Sequence, residues 1–261
     1  MASTPFHQPS FLEPQTSQSS TPSSEPLQQK ALLIHDRLCA VYGCPIAYFH
    51  NLDPLSELVS SLLSHRTKNR DSGRAFRQLR DRFPTWEQVR DGDVGEIEAA
   101  IAPCTYPEVK APRLKQILHA IQQEQGQLTL DFLANLTVPE ARTWLEKLPG
   151  VGPKTSAAVL CFSNLRRPAL PVDSHHHRVA QRLELIPASM AVGPSHGVLA
   201  AQLPAHWSAQ QVYDNHEVLM LHGQRVCHYR NPNCKACAVL DVCPFGQQRM
   251  ATSSVQNDPS R

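Results

Sequence analysis

Apolar residues recur every three or four positions through most of the chain, and this period is that of a helix with one buried face. Ala31, Leu32, Ile34, Leu38 and Val41 trace such a face, closed by Gly43 and Pro45. After Pro54, the positions Leu55, Leu58, Val59, Leu62 and Leu63 define a second. A third, from about Asp71 to Phe83, sets apolar positions against arginines. The same spacing predicts helices over Gly95–Ala102, Glu108–Gln125, Thr137–Lys147, Pro153–Ser163, Ser174–Leu183, Ser195–Leu203 and Ala209–His222. Thr137-Val138-Pro139-Glu140 has the spacing of a capping box, in which the first hydroxyl and the last carboxylate each satisfy a free N–H. No run of five or more residues alternates as a strand does. The expected fold class is all-α, built from many short helices.

The ends of the chain break the pattern. Ser, Thr, Pro and Gln fill 18 of the first 27 positions, too little apolar surface to offset the entropy of ordering, so residues 1–27 are expected to be a disordered tail. A flexible tail is also expected over residues 247–261. Between them, a chain of 261 residues that is 41% hydrophobic can bury a core. No apolar run approaches the roughly 20 residues of a transmembrane helix, and no membrane partner is expected. The N-terminus lacks a basic start followed by an apolar stretch, so no secretory leader is expected. Eight cysteines in that context point to metal or redox use rather than a disulfide scaffold.

Net charge is only +2, yet charge is uneven. Between Arg66 and Arg82 stand seven basic residues (Arg66, Lys68, Arg70, Arg74, Arg77, Arg80 and Arg82) against Asp71 and Asp81. Arg74, Arg77 and Arg80 share one side of the third helix. An isolated basic run is usually a solvated face; a strip that tracks phosphates needs support from elsewhere. The segment Leu148-Pro149-Gly150-Val151-Gly152-Pro153-Lys154-Thr155-Ser156-Ala157 supplies it. A helix ends, two glycines allow a tight turn, and Pro153 opens the next helix where a missing N–H costs nothing. The turn then offers backbone N–H groups to a phosphate oxygen. Lys154 reads either as one more phosphate contact or as a nucleophile, since a partly desolvated amine can attack a sugar C1′ and form a Schiff base. Asp173, in Leu170-Pro171-Val172-Asp173-Ser174-His175, fits an ordinary N-cap and equally a carboxylate that stabilises charge beside Lys154.

Cys227, Cys234, Cys237 and Cys243 pack four thiols into 17 residues with spacers of six, two and five. Zinc is the default ligand for clustered cysteines, but zinc ribbons place two Cys-x-x-Cys pairs further apart. One compact loop favours a [4Fe–4S] cluster, in which each iron takes one thiolate. Arg225, Arg230 and Lys235 flank it and could reach phosphates. Cys39, Cys44, Cys104 and Cys161 are dispersed and read as structural or free. His175, His176 and His177 cannot all face one ion, because helical neighbours point about 100° apart, and read as polar helix positions.

The hairpin, the Val172-Asp173-Ser174-His175 segment and the four-cysteine loop, in this order, resemble the endonuclease III family of helix-hairpin-helix DNA glycosylases across residues 28–246. The resemblance implies two helical lobes: residues 55–163 carrying the hairpin, and residues 28–54 with 164–246 carrying the [4Fe–4S] cluster on Cys227, Cys234, Cys237 and Cys243. It implies a monomer acting on double-stranded DNA that contains damaged bases or abasic sites, in a bacterial cytoplasm or an organelle. Lys154 would be the nucleophile that displaces an oxidised pyrimidine and permits β-elimination, Asp173 the catalytic carboxylate. Gly150, Gly152, Arg66, Lys68, Arg230 and Lys235 would contact DNA. Arg66 stands where the family usually has Gln, Asn69 where it has Asp, and Pro153 where several relatives carry a basic residue. The alternatives are a monofunctional glycosylase of the same superfamily, against which Lys154 argues, and a non-catalytic DNA-binding iron–sulfur protein.

Overall fold

The helical period in the sequence becomes helix through most of the computed structural model, which describes residues 25–256. The helices are α1 (Glu25–Tyr42), α2 (Pro54–Ser64), α3 (Asn69–Arg82), α4 (Trp86–Asp91), α5 (Val94–Ala100), α6 (Pro107–Gln125), α7 (Val138–Leu145), α8 (Pro153–Phe162), α9 (Ser174–Arg182), α10 (Val192–Ala200), α11 (Ala209–Arg225) and α12 (Pro244–Gln256). No strand occurs among the described residues. None of these helices is long and apolar enough to cross a membrane. The expected capping box at α7 is made: Thr137 takes the Glu140 N–H on its hydroxyl, and the Glu140 carboxylate takes the Thr137 N–H.

Two apolar clusters organise the helices. Leu58, Leu63, Leu79, Ile97, Ile117 and Leu145 belong to the first, which gathers α2 to α8. Ile34, Leu38, Val172, Val179, Val218 and Leu219 belong to the second, which joins α1 to α9, α11 and the cysteine loop. A third, small cluster ties them together: Ala158, Cys161 and Phe162 of α8 pack on Tyr213 of α11, with Ile46 and Tyr48 alongside. Tyr48 stacks on Tyr213 with ring centroids 4.1 Å apart, and the Arg166 guanidinium covers the other face of Tyr48 at 3.4 Å. The helix that follows the hairpin is therefore bolted to both lobes.

Several expectations are corrected. The tail predicted for residues 1–27 lies outside the described residues as far as residue 24, while Glu25, Pro26 and Leu27 already form the first turn of α1. The flexible tail predicted from residue 247 is helical to Gln256, because Pro244 opens α12 and Phe245 packs on the second core. Cys39 and Cys44, read as structural or free, are joined by a disulfide; the turn after α1 brings their Cα atoms to 4.9 Å. His176 and His177 are buried rather than polar surface positions, since α9 packs along α11. Arg80 leaves the expected basic strip: its guanidinium lies 4.4 Å over the Trp86 ring, and Arg74 and Arg77 remain exposed.

Candidate active site

The turn between α7 and α8 is held from inside. Leu148 and Val151 are buried, and the Val151 N–H donates to the Leu148 carbonyl at 3.1 Å. Gly150 has φ +77°, a conformation that side chains resist, whereas Gly152 is extended and caps α8 without a side-chain bond. Gly150 is needed for a second reason. A Cβ there would stand 2.8 Å from Cδ of Arg113, which lies across the turn from α6. Pro153 occupies the first turn of α8, as expected, and Lys154 follows it.

Lys154 opens onto a cleft of about 520 Å³ lined also by His65, Arg66, Tyr106, Lys110 and Arg113. The loop after α2 forms one wall. Arg66 turns it with φ +54°, and its carbonyl accepts the Thr105 hydroxyl at 3.0 Å. The buried Lys110 ammonium holds the same loop by donating to the Leu63 carbonyl at 2.7 Å and to the His65 carbonyl and the Thr67 hydroxyl at 2.9 Å each. Burial lowers the Lys110 pKa. His65 Nε2 lies 3.0 Å from Oγ1 of Thr155, the residue after Lys154. Burial first, then the charges of Lys154, Lys110 and Arg113, push the His65 imidazole down to about 4, so it is neutral at pH 7. Tyr106 caps α6 in the left-handed region and is half exposed at the rim. Arg113 has no hydrogen-bond or ion-pair partner among the described residues.

Asp173 fulfils its N-cap role, accepting the His176 N–H at 2.7 Å. The strand of chain before it is pinned by two buried imidazoles. His216 bonds the Pro171 carbonyl through Nδ1 at 2.9 Å, and His196 Nε2 accepts the Val172 N–H at 3.1 Å. Burial works against the charged Asp173 carboxylate, but the His216 and His176 imidazoles and the His176 N–H hold its pKa below the ordinary value. His216 is itself pushed down to about 4, chiefly by burial, with Asp173 raising and Lys154 lowering it. His216 thus feels the charges of both Lys154 and Asp173, although Asp173 does not line the lysine cleft.

Of the expected DNA contacts, Arg66 lines the cleft, Gly150 and Gly152 flank Lys154 in the turn, and Lys68 caps α3 exposed, two residues from Arg66. Arg230 and Lys235 stand exposed on the cysteine loop and line no part of the cleft. Cys227, Cys234, Cys237 and Cys243 are free thiols lining one mostly apolar cavity. Donors already point at the sulfurs: Arg182 to Cys227 at 3.2 Å and the Gly246 N–H to Cys243 at 3.3 Å. Burial pushes Cys237 up to about 11 and raises Cys243. Among the described residues no group of three or more His, Cys, Asp or Glu is gathered as one metal ion would require.

Residues 59–194 match the HhH-GPD superfamily of base excision DNA repair proteins, about half of the chain. The chain belongs to that superfamily. Among its relatives is an Arabidopsis thaliana protein provisionally named a DNA glycosylase, 33% identical over 77% of this chain; the chain spans 65% of that protein's length. Endonuclease III of Thermotoga maritima is 27% identical over 76% of this chain and 85% of its own. A non-covalent endonuclease III–DNA complex has the same fold, with a TM-score of 0.72 at 22% identity over 86% of this chain and 98% of that one. Sequence reasoning passed over His65, Tyr106, Lys110 and Arg113, which reach the cleft from the loop after α2 and from α6. The only sequence signal for the last pair was two cations three residues apart on a predicted helix.

Proposed function

We propose that this HhH-GPD protein is a bifunctional DNA glycosylase and AP lyase that removes oxidised pyrimidines from double-stranded DNA. The observation that carries the reading is Lys154: a half-buried amine at the exit of the hairpin, opening onto a cleft able to admit a single flipped nucleotide. Cations dominate the polar lining of that cleft and no carboxylate faces it, so its occupant is rich in hydrogen-bond acceptors. Lys154 Nζ, as the free amine, attacks C1′ and the base departs with its bonding electrons. The amine then loses a proton to water, and the C1′–O4′ bond breaks with its electrons and a proton going to O4′, which opens the sugar to the Schiff base. Asp173, ionised and fixed by its capping bond, stands outside the cleft lining and stabilises the positive charge that develops on the sugar through space rather than by contact. The resulting Schiff base acidifies the C2′ proton, whose loss expels the 3′ phosphate. Arg66 in the cleft, and Lys68, Arg230 and Lys235 outside it, hold the DNA backbone or the strand opposite.

The four cysteines fit a [4Fe–4S] cluster: four free thiols surround one apolar cavity, and N–H donors already face two of the sulfurs. Bound there, the cluster would supply a rigid knot that holds the loop of Arg230 and Lys235. The test is borohydride trapping on duplexes carrying thymine glycol or an abasic site. Wild type should give a covalent adduct with both, and Lys154→Gln with neither, while duplex binding persists. Base release without an adduct would replace this reading with a monofunctional glycosylase. No reaction and no adduct would leave a DNA-binding protein.

A further inference from the structure

Arg113 has no role in the chemistry above, yet its placement is unusual. It projects from α6 across the hairpin and packs on Gly150: a Cβ there would stand 2.8, 3.0 and 3.1 Å from its Cδ, Nε and Nη1, so any side chain at 150 would have to displace the arginine. It is half-buried, lines the same cleft as Lys154, and has no carboxylate or carbonyl partner among the described residues. Other arginines in comparable settings are spoken for: Arg166 and Arg167 bind carbonyls, and Arg178 and Arg182 clamp the cysteine loop. A guanidinium desolvated beside another cation gains stability only when an anion joins them.

We propose that Arg113 seats the 3′ phosphate of the flipped nucleotide and promotes its departure in the lyase step. This rests on the lyase reading of the same cleft. In that step the C2′ proton leaves to water, its bonding pair forms the C2′–C3′ double bond, and the C3′–O bond breaks with its electrons going to the phosphate. The phosphate passes from one negative charge as a diester toward two as a monoester. A preorganised guanidinium binds the second charge more strongly than the first, which accelerates departure without assisting Schiff-base formation. Lys110 cannot serve, since its ammonium is consumed by three acceptors, and Lys154 is occupied by C1′.

The experiment uses the full chain and an abasic duplex under single-turnover conditions, following trapped adduct and strand cleavage separately. Arg113→Gln keeps the chain that packs on Gly150 as far as Cδ and removes its charge. It should slow cleavage tenfold or more while the rate of adduct formation stays within about threefold, and Arg113→Lys should recover part of the loss. A neutral methylphosphonate in place of the 3′ phosphate should slow wild type as much as Arg113→Gln does on ordinary DNA, and should slow the variant no further. Adduct formation and cleavage falling together, neither falling, or the sensitivity lying at a 5′ methylphosphonate each overturns the assignment. A wild type that forms no adduct at all refutes the lyase reading instead, so the two failures are separable.

Discussion

Lys110 shows how one residue can shape a cleft through the wall it holds. Its ammonium is buried at a cost that grows with desolvation, and the cost is met by three acceptors on the loop that carries His65 and Arg66. Lys110→Met would keep most of the side-chain volume and take the charged donor from the Leu63 and His65 carbonyls, leaving them the Cys104 thiol at 3.5 Å and the Thr67 hydroxyl at 3.2 Å. Hydrogen bonds to a charged group contribute about 1.5–3 kcal/mol each, and relief of the buried ammonium offsets part of their loss, so the expected destabilisation is roughly 2–4 kcal/mol, measured by urea denaturation. The loop should also lose its left-handed turn at Arg66, which faster amide exchange over residues 64–67 would report. Unchanged stability and exchange would mean that the bonds to Lys110 contribute nothing to the shape of the cleft.

At the scale of elements, α9 links the two chemistries. Its first turn is capped by Asp173; its last turns send Arg178 and Arg182 into the cysteine loop, where they bind the carbonyls of Gly223, Cys227, His228 and Tyr229. Arg182→Met removes the bonds to His228, Tyr229 and the Cys227 sulfur and should loosen the loop. On the cluster reading, the variant should bleach its visible iron–sulfur absorbance faster in air and yield to protease between Cys227 and Asn233; equal bleaching would show that the loop stands without Arg182. The division between what sequence revealed and what it hid follows the same elements. The hairpin, the capping aspartate and the cysteine loop are each written within 20 residues, so turn chemistry and spacing display them. The cleft is assembled from the loop after α2, the start of α6 and the start of α8, some 90 residues apart at the extremes. His65, Tyr106, Lys110 and Arg113 carry no local signature because packing alone brings them together. α4 was hidden for a different reason: six residues are too few to display a period.

The whole molecule buries more imidazole than a helical protein of this size needs for packing, and that sets its response to acid. His65, His176 and His216 are held neutral in the fold, His65 and His216 at about 4 and His176 at about 3, burial being the largest cause each time. In the unfolded chain each titrates near 6.5. Below that value the unfolded state takes up protons that the folded state refuses, so stability is fully present above pH 6.5 and is lost as pH falls toward the folded pKa values. Each such group contributes about 1.4 kcal/mol per pH unit within its window. Glu217 opposes them. Burial, then the charges of Asp173 and Asp214, raise its carboxyl to about 7, so its contribution is present below the unfolded value near 4.5 and is lost as pH rises toward 7. The three imidazoles, joined by His222 at about 4 and by the lowered His35 and His196, outnumber Glu217: between pH 6.5 and 5 the protein should lose at least about 3 kcal/mol per pH unit. Urea midpoints taken at pH 7.5, 6.0 and 5.0 test this, and Glu217→Gln, which deletes the opposing group, should steepen the decline. A midpoint that holds steady to pH 5 would mean that the imidazoles around Asp173 and Lys154 accept protons in the folded state.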